Sequence, residues 1–221
     1  MLKYPCLVLD HDDTVVQSEA TINYPCFCKF LESYRPDATY TLQEYMADCS
    51  KMSFVDMCRI RFGMSDEELH QEYLFWKSYM KEHIPAAFTG LREVLQAYRD
   101  AGGILCVVSM STEENILRDY RHHFNFIPDR IFGCELPENQ RKPNIFPLEQ
   151  IQRLYNLSPD QLLILDDMKF AVAMARKAKC SIAFAGWSRI DFPEICQEMD
   201  ALCDYSFYSP EQLRSFLLEE K

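Results

Sequence analysis

The chain has 221 residues, room for one domain with an insertion or for two domains, and its 48% hydrophobic content with 6 Gly and 11 Pro excludes a disordered or fibrous protein. A formal net charge of -11 disfavours non-specific attraction to nucleic acid or to an anionic membrane, so neither partner is expected, and an anionic substrate needs a local cation.

The first apolar run, Cys6 to Leu9, lacks polar alternation and reads as a strand buried on both faces. It stops at Asp10, and Asp12 and Asp13 follow within four positions. The run is too short for a signal peptide and no stretch approaches the roughly 18 apolar residues of a membrane span, so a cytoplasmic location is expected. Alternation at the strand end sends Asp10 and Asp12 to the same side. Two readings are open from this segment alone. One is a solvated acidic turn. The other is a carboxylate pair that divides phosphoryl transfer, one attacking phosphorus and one protonating the leaving oxygen and then activating water.

Residues 16–86 are rich in helix formers and aromatics and hold no convincing buried strand. Ser65-Asp66-Glu67-Glu68 is a capping box opening an amphipathic stretch through Met80, and Glu32 to Pro36 reads as a helix exit. A helical insertion directly after the first strand is expected over the carboxyl ends of the strands, as a lid. Its cations Lys51, Arg59 and Arg61 are expected on the surface, and Tyr45, Phe54, Tyr73, Phe75 and Trp76 in the insertion's own core.

Beyond it, strands and helices alternate. Gly90 to Ala101 places Leu91, Val94, Leu95 and Tyr98 on one helical face, ended by Gly102-Gly103; Ile104 to Val108 is a buried strand leading to Ser109. Glu114 to Phe124 and Phe146 to Tyr155 have helical spacing, with Lys142-Pro143 in the loop between them. Ser158 opens no more than one turn before the strand Leu162 to Leu165, which ends in Asp166-Asp167; a helix over Met168 to Lys179, a strand at Ile182 to Ala185 and a capped helix from Ser209 complete the chain. The pattern is α/β, a doubly wound and mostly parallel sheet (a Rossmann-like core of residues 1–15 and 87–221) with a small all-helical domain over 16–86.

Each polar feature at a strand end has two readings. Asp166 and Asp167 repeat the placement of the first acids, and acids from two strand ends suit Mg2+, a hard cation that takes carboxylates with substrate phosphate; they also suit helix capping. Ser109 is a donor to a phosphate oxygen or an ordinary strand-end serine. Lys142 is a surface charge or the cation that offsets a crowded acid cluster. The ten cysteines lack the paired Cys-x-x-Cys spacing of zinc sites and are read as thiols.

In this order the four elements resemble the haloacid dehalogenase-like phosphohydrolase superfamily. Asp10-His11-Asp12-Asp13-Thr14 with Val15 to Glu19 resembles its first motif, Ser109 its second, Lys142-Pro143 its third, and Asp166-Asp167 its fourth, over nearly the whole chain. The resemblance implies a Mg2+-dependent phosphatase acting on a small phosphorylated metabolite, with a helical cap inserted after the first motif. It makes Asp10 the nucleophile that forms an aspartyl-phosphate and Asp12 the general acid/base, which also offers its backbone carbonyl to the metal. It gives Ser109 and Lys142 the phosphoryl oxygens, and makes Asp10, Asp12, Asp166 and Asp167 the metal set. Asp13 stands where the family has Gly, Ala171 where many members keep a further acid, and Met110 where Asn is frequent. Asp12 argues against a dehalogenase, which attacks carbon and needs no second acid. A sugar-phosphate mutase and a non-catalytic phospho-ligand-binding member stand as alternatives; a receiver-type signalling module is about half this length.

Overall fold

The computed structural model of the protein describes residues 2–218. Six parallel strands form one sheet in the order β3-β2-β1-β4-β5-β6: β1 (Cys6–Leu9), β2 (Ile104–Val108), β3 (Arg130–Phe132), β4 (Leu162–Asp166), β5 (Ser181–Ala185) and β6 (Tyr205–Phe207). The four central strands are those expected from uniform apolar runs. β3 and β6 lie at the two edges, where only Phe132 and Phe207 of their three residues each are buried, so neither carries a continuous apolar run.

The side-chain period of two divides the core between the faces of this sheet. Leu7, Leu9, Leu105, Val107, Leu163 and Leu165 pack on one face against the helices Leu91–Asp100, Glu113–His123 and Pro210–Leu217. Cys6, Val8, Cys106, Val108, Ile164 and Phe184 pack on the other against Phe146–Tyr155, Phe170–Ala178 and Pro193–Leu202. Each fully buried Leu or Val contributes about 1.5 to 3 kcal/mol relative to exposure, which fixes the strand register and with it the loops beyond the strand ends.

The chain divides into two units, one made of the described residues through Val16 with those from Ala86 onward, the other Gln17–Pro85. The second unit is helical. A short π-helical turn, Glu19–Asn23, leads into α1 (Tyr24–Tyr34), followed by α2 (Leu42–Cys49), α3 (Phe54–Phe62) and α4 (Asp66–Glu82). Thr41 with Glu44 and Ser65 with Glu68 form reciprocal capping boxes at the starts of α2 and α4, and Gly63 ends α3 with φ 60°. Phe27 lies edge-on to Phe54 and Phe62 at centroid distances of 5.2 and 5.4 Å, and Tyr45 is buried beside it. Lys51, Arg59 and Arg61 are exposed, Arg61 pairing with Asp48 at 2.6 Å. Tyr73 and Phe75 depart from expectation. They are 43% and 37% exposed, because consecutive helical residues point in different directions and the buried positions of α4 are Glu72 and Met80.

Candidate active site

The strand order reverses at β1, which pairs with β2 on one side and β4 on the other, and open α/β sheets bind ligands at such a crevice beyond the carboxyl ends. The Asp10 N–H donates to the Leu165 carbonyl at 2.9 Å and carries the β1 to β4 pairing one residue past the strand. Asp10 thereby meets the acids that end β4. Carboxylate oxygens of Asp10, Asp166 and Asp167 lie within 4.8 Å of one another, and all three residues are buried. The Thr14 hydroxyl donates to Asp167 Oδ1 at 3.2 Å, and the Met168 N–H to Asp166 Oδ1 at 2.9 Å. Asp166 therefore meets the backbone next to it and does not cap the helix Phe170–Ala178, whose first turn starts further on.

Two buried cations hold these acids. Lys142 Nζ is 3.1 Å from Asp10 Oδ2 and also pairs with Asp166 Oδ2. Lys142 is 7% exposed, which removes the surface-charge reading, and its loop is braced where Asn144 Oδ1 accepts the Phe146 N–H at 2.9 Å. Arg189 reaches Asp13 Oδ2 at 2.8 Å through Nη1 and Asp167 Oδ2 through Nη2. Burial alone would pull Lys142 down, but the charges of Asp10 and Asp166 outweigh it and hold the ammonium above its ordinary value. Burial pushes Asp166 and Asp167 up; Lys142 opposes this at Asp166 and Arg189 at Asp167, while Asp10 adds to both. With every group ionised, the buried acids Asp10, Asp13, Asp166 and Asp167 exceed Lys142 and Arg189 by two charges.

The remaining predicted residues stand nearby in the chain's topology. Leu9 pairs with Val107, so Asp10 and Ser109 leave adjacent strands at the same edge; the Ser109 hydroxyl oxygen accepts the Ser111 N–H at 3.2 Å. Asp12 is half-buried in a turn closed by Val15 N–H donating to the His11 carbonyl at 2.8 Å, and its carboxylate is not one of the three that converge. Asp13 takes the Gly position with φ 52°, in the left-handed region that Asp tolerates better than most residues. Ala171 is fully buried against the sheet, a site for packing rather than for an acid.

Sequence reasoning missed Arg189 and His11. Arg189 follows β5 at the same sheet edge, the position that would have pointed to it. His11 lies between the two first acids, and its Nε2 is 3.1 Å from Asp119 Oδ2, whose other oxygen accepts Arg118 Nε at 2.7 Å. The contact ties the turn after β1 to the helix Glu113–His123.

The acids fit Mg2+: three converge with oxygen ligands, the four buried acids exceed the two cations by two charges when ionised, and the buried Asp10 Oδ1 has no hydrogen-bond partner among the described residues.

Solved structures share the fold. A candidate haloacid dehalogenase-like hydrolase from Bacteroides fragilis superposes with a TM-score of 0.79 at 20% identity, over 96% of this chain and 100% of that one. A candidate phosphoglycolate phosphatase from Lactobacillus plantarum gives 0.80 at 16% identity over 98% and 100%. CbbY from Rhodobacter sphaeroides, in complex with phosphate, gives 0.70 at 17% over 96% of each chain. No curated protein matches the chain. The family model described as haloacid dehalogenase-like hydrolase spans residues 7–185, from the first strand through the fifth, and the chain belongs to that family.

Proposed function

We propose that the protein is a Mg2+-dependent phosphatase that hydrolyses a small phosphomonoester through an aspartyl-phosphate on Asp10. The observation that carries this reading is the buried Asp10 carboxylate, one oxygen fixed by Lys142 and the other without a hydrogen-bond partner, beside Asp166 and Asp167. In the first step an Asp10 oxygen forms a bond to phosphorus while the bond to the alcohol oxygen breaks, and Asp12 gives that oxygen its proton. In the second, Asp12 takes a proton from water, the water oxygen bonds to phosphorus, and the acyl-phosphate bond breaks to regenerate Asp10 and release phosphate. Lys142 offsets charge on the phosphoryl oxygens, and Ser109 donates to one of them. Asp10, Asp166, Asp167 and the Asp12 carbonyl would hold Mg2+, which supplies electrostatic stabilisation to those oxygens when bound. The helical unit is the family's cap in this reading.

CbbY structures in complex with phosphate and with xylulose-(1,5)bisphosphate support a phosphorylated small molecule as ligand of the shared fold. The ten free cysteines support a reducing, cytoplasmic setting. The test is rapid acid quench of a single turnover followed by mass spectrometry. Phosphorylation of the Asp10 peptide is expected in the wild type and absent in Asp10→Asn; turnover with no phosphopeptide would overturn the mechanism.

A further inference from the structure

Arg189 is buried within the acidic cluster, yet none of the roles above uses it. Its backbone is fixed on the loop after β5: its N–H donates to the Gly186 carbonyl at 3.0 Å, and its own carbonyl accepts the Phe192 N–H at 2.8 Å and the Cys196 thiol at 3.1 Å. From this anchor the guanidinium forks, Nη1 to Asp13 and Nη2 to Asp167.

We propose that Asp13 and Arg189 form a charge-neutral pair that positions Asp167 for a divalent cation, so that neither residue is useful there without the other. The proposal rests on reading the acid cluster as a metal site. Asp167 is held from both sides, Oδ1 by the Thr14 hydroxyl and Oδ2 by Arg189, which fixes the rotation of the carboxylate toward Asp10 and Asp166. A guanidinium facing Asp167 alone would cancel its charge. Asp13 supplies the second carboxylate that shares the guanidinium, so the cluster keeps its two-charge excess. This also accounts for an acid at a left-handed position, where backbone sterics favour Gly: the carboxylate of Asp13 is required at the far tine of the fork.

The test is a double-mutant cycle on the full chain with Asp13→Gly, Arg189→Met and both together. Two quantities are read: Mn2+ affinity, from the electron paramagnetic resonance signal of free Mn2+, and the Tm in chelator. Asp13→Gly is expected to weaken Mn2+ binding by about tenfold or more, because Arg189 then neutralises Asp167. Arg189→Met is expected to lower the metal-free Tm by about 5 °C or more, since two buried carboxylates lose their cation. The double variant is expected to regain part of the Mn2+ affinity lost in Asp13→Gly and to melt above Arg189→Met, a coupling seen only between groups that act together. Arg189→Lys, which keeps the charge and is the milder change, is expected to restore Tm over Arg189→Met and to bind Mn2+ more weakly than wild type, because a single ammonium lacks the fork that orients Asp167. Additive effects on both quantities, or full Mn2+ affinity in Arg189→Lys, would overturn the pair. Absence of Mn2+ binding by the wild type would overturn the metal reading itself, and it is told apart from failure of the pair by the Tm cycle, which needs no metal.

Discussion

Lys142 bridges Asp10 and Asp166, so one buried ammonium joins the acids that end two adjacent strands. Removing it exposes those acids to each other in a site that water does not screen. Lys142→Met, which keeps most of the volume, should lower kcat by at least about a hundredfold. Breaking a buried pair from one side should also lower stability by about 3 to 5 kcal/mol without metal. Steady-state kinetics and denaturant unfolding check the two effects; activity within a few-fold of wild type would remove Lys142 from the site.

Asp12 is assigned the proton transfers, while only its backbone carbonyl is assigned to the metal. Asp12→Asn should therefore lower turnover by about a hundredfold to ten-thousandfold and leave Mn2+ affinity close to wild type. A parallel loss of metal binding would show that the carboxylate itself is a ligand.

Metal should stabilise the fold, since it binds the native cluster and not the unfolded chain. At a Mg2+ concentration of 100 times the Kd the stabilisation is about 2.7 kcal/mol, a Tm rise of several degrees relative to chelator. The rise should vanish in Asp167→Ala. Chelator should abolish turnover and added Mg2+ restore it.

A separate pH effect is expected from the helical unit. Glu72 is buried in α4, and burial pushes its carboxyl up to about 7. The folded state thus holds a proton that the unfolded state gives up near the ordinary glutamate value. The contribution to stability is full below about pH 4, falls as pH rises, and is lost by about pH 7, a change of order 3 kcal/mol. Glu72→Gln, which cannot ionise, should raise Tm at pH 8 and change it little at pH 4.5. Equal shifts at the two pH values would assign the effect to packing.

What was legible in the sequence followed from how local the signal is. Leu162 to Leu165 announces a buried strand by itself, and Ser65 with Glu68 announces a helix start within four residues. Arg130 to Phe132 and Tyr205 to Phe207 are strands only because a neighbour offers an edge, which no local pattern records. The acids of β1 and β4 were readable as two clusters, but their convergence needs the sheet order that sets the strands side by side. Long-range partners stayed hidden for the same reason: His11 meets a residue 108 positions away, and the fork of Arg189 joins loops after three different strands. Asp13 was visible as a departure, while its guanidinium partner was not.

The most direct measurement is inorganic phosphate release from a panel of small phosphomonoesters, with Mg2+ and with chelator, for wild type and Asp10→Asn. The account predicts release by the wild type that requires Mg2+ and is abolished in Asp10→Asn, which keeps the volume of the side chain and the fold. Release that persists in Asp10→Asn, or that is indifferent to chelator, would contradict it.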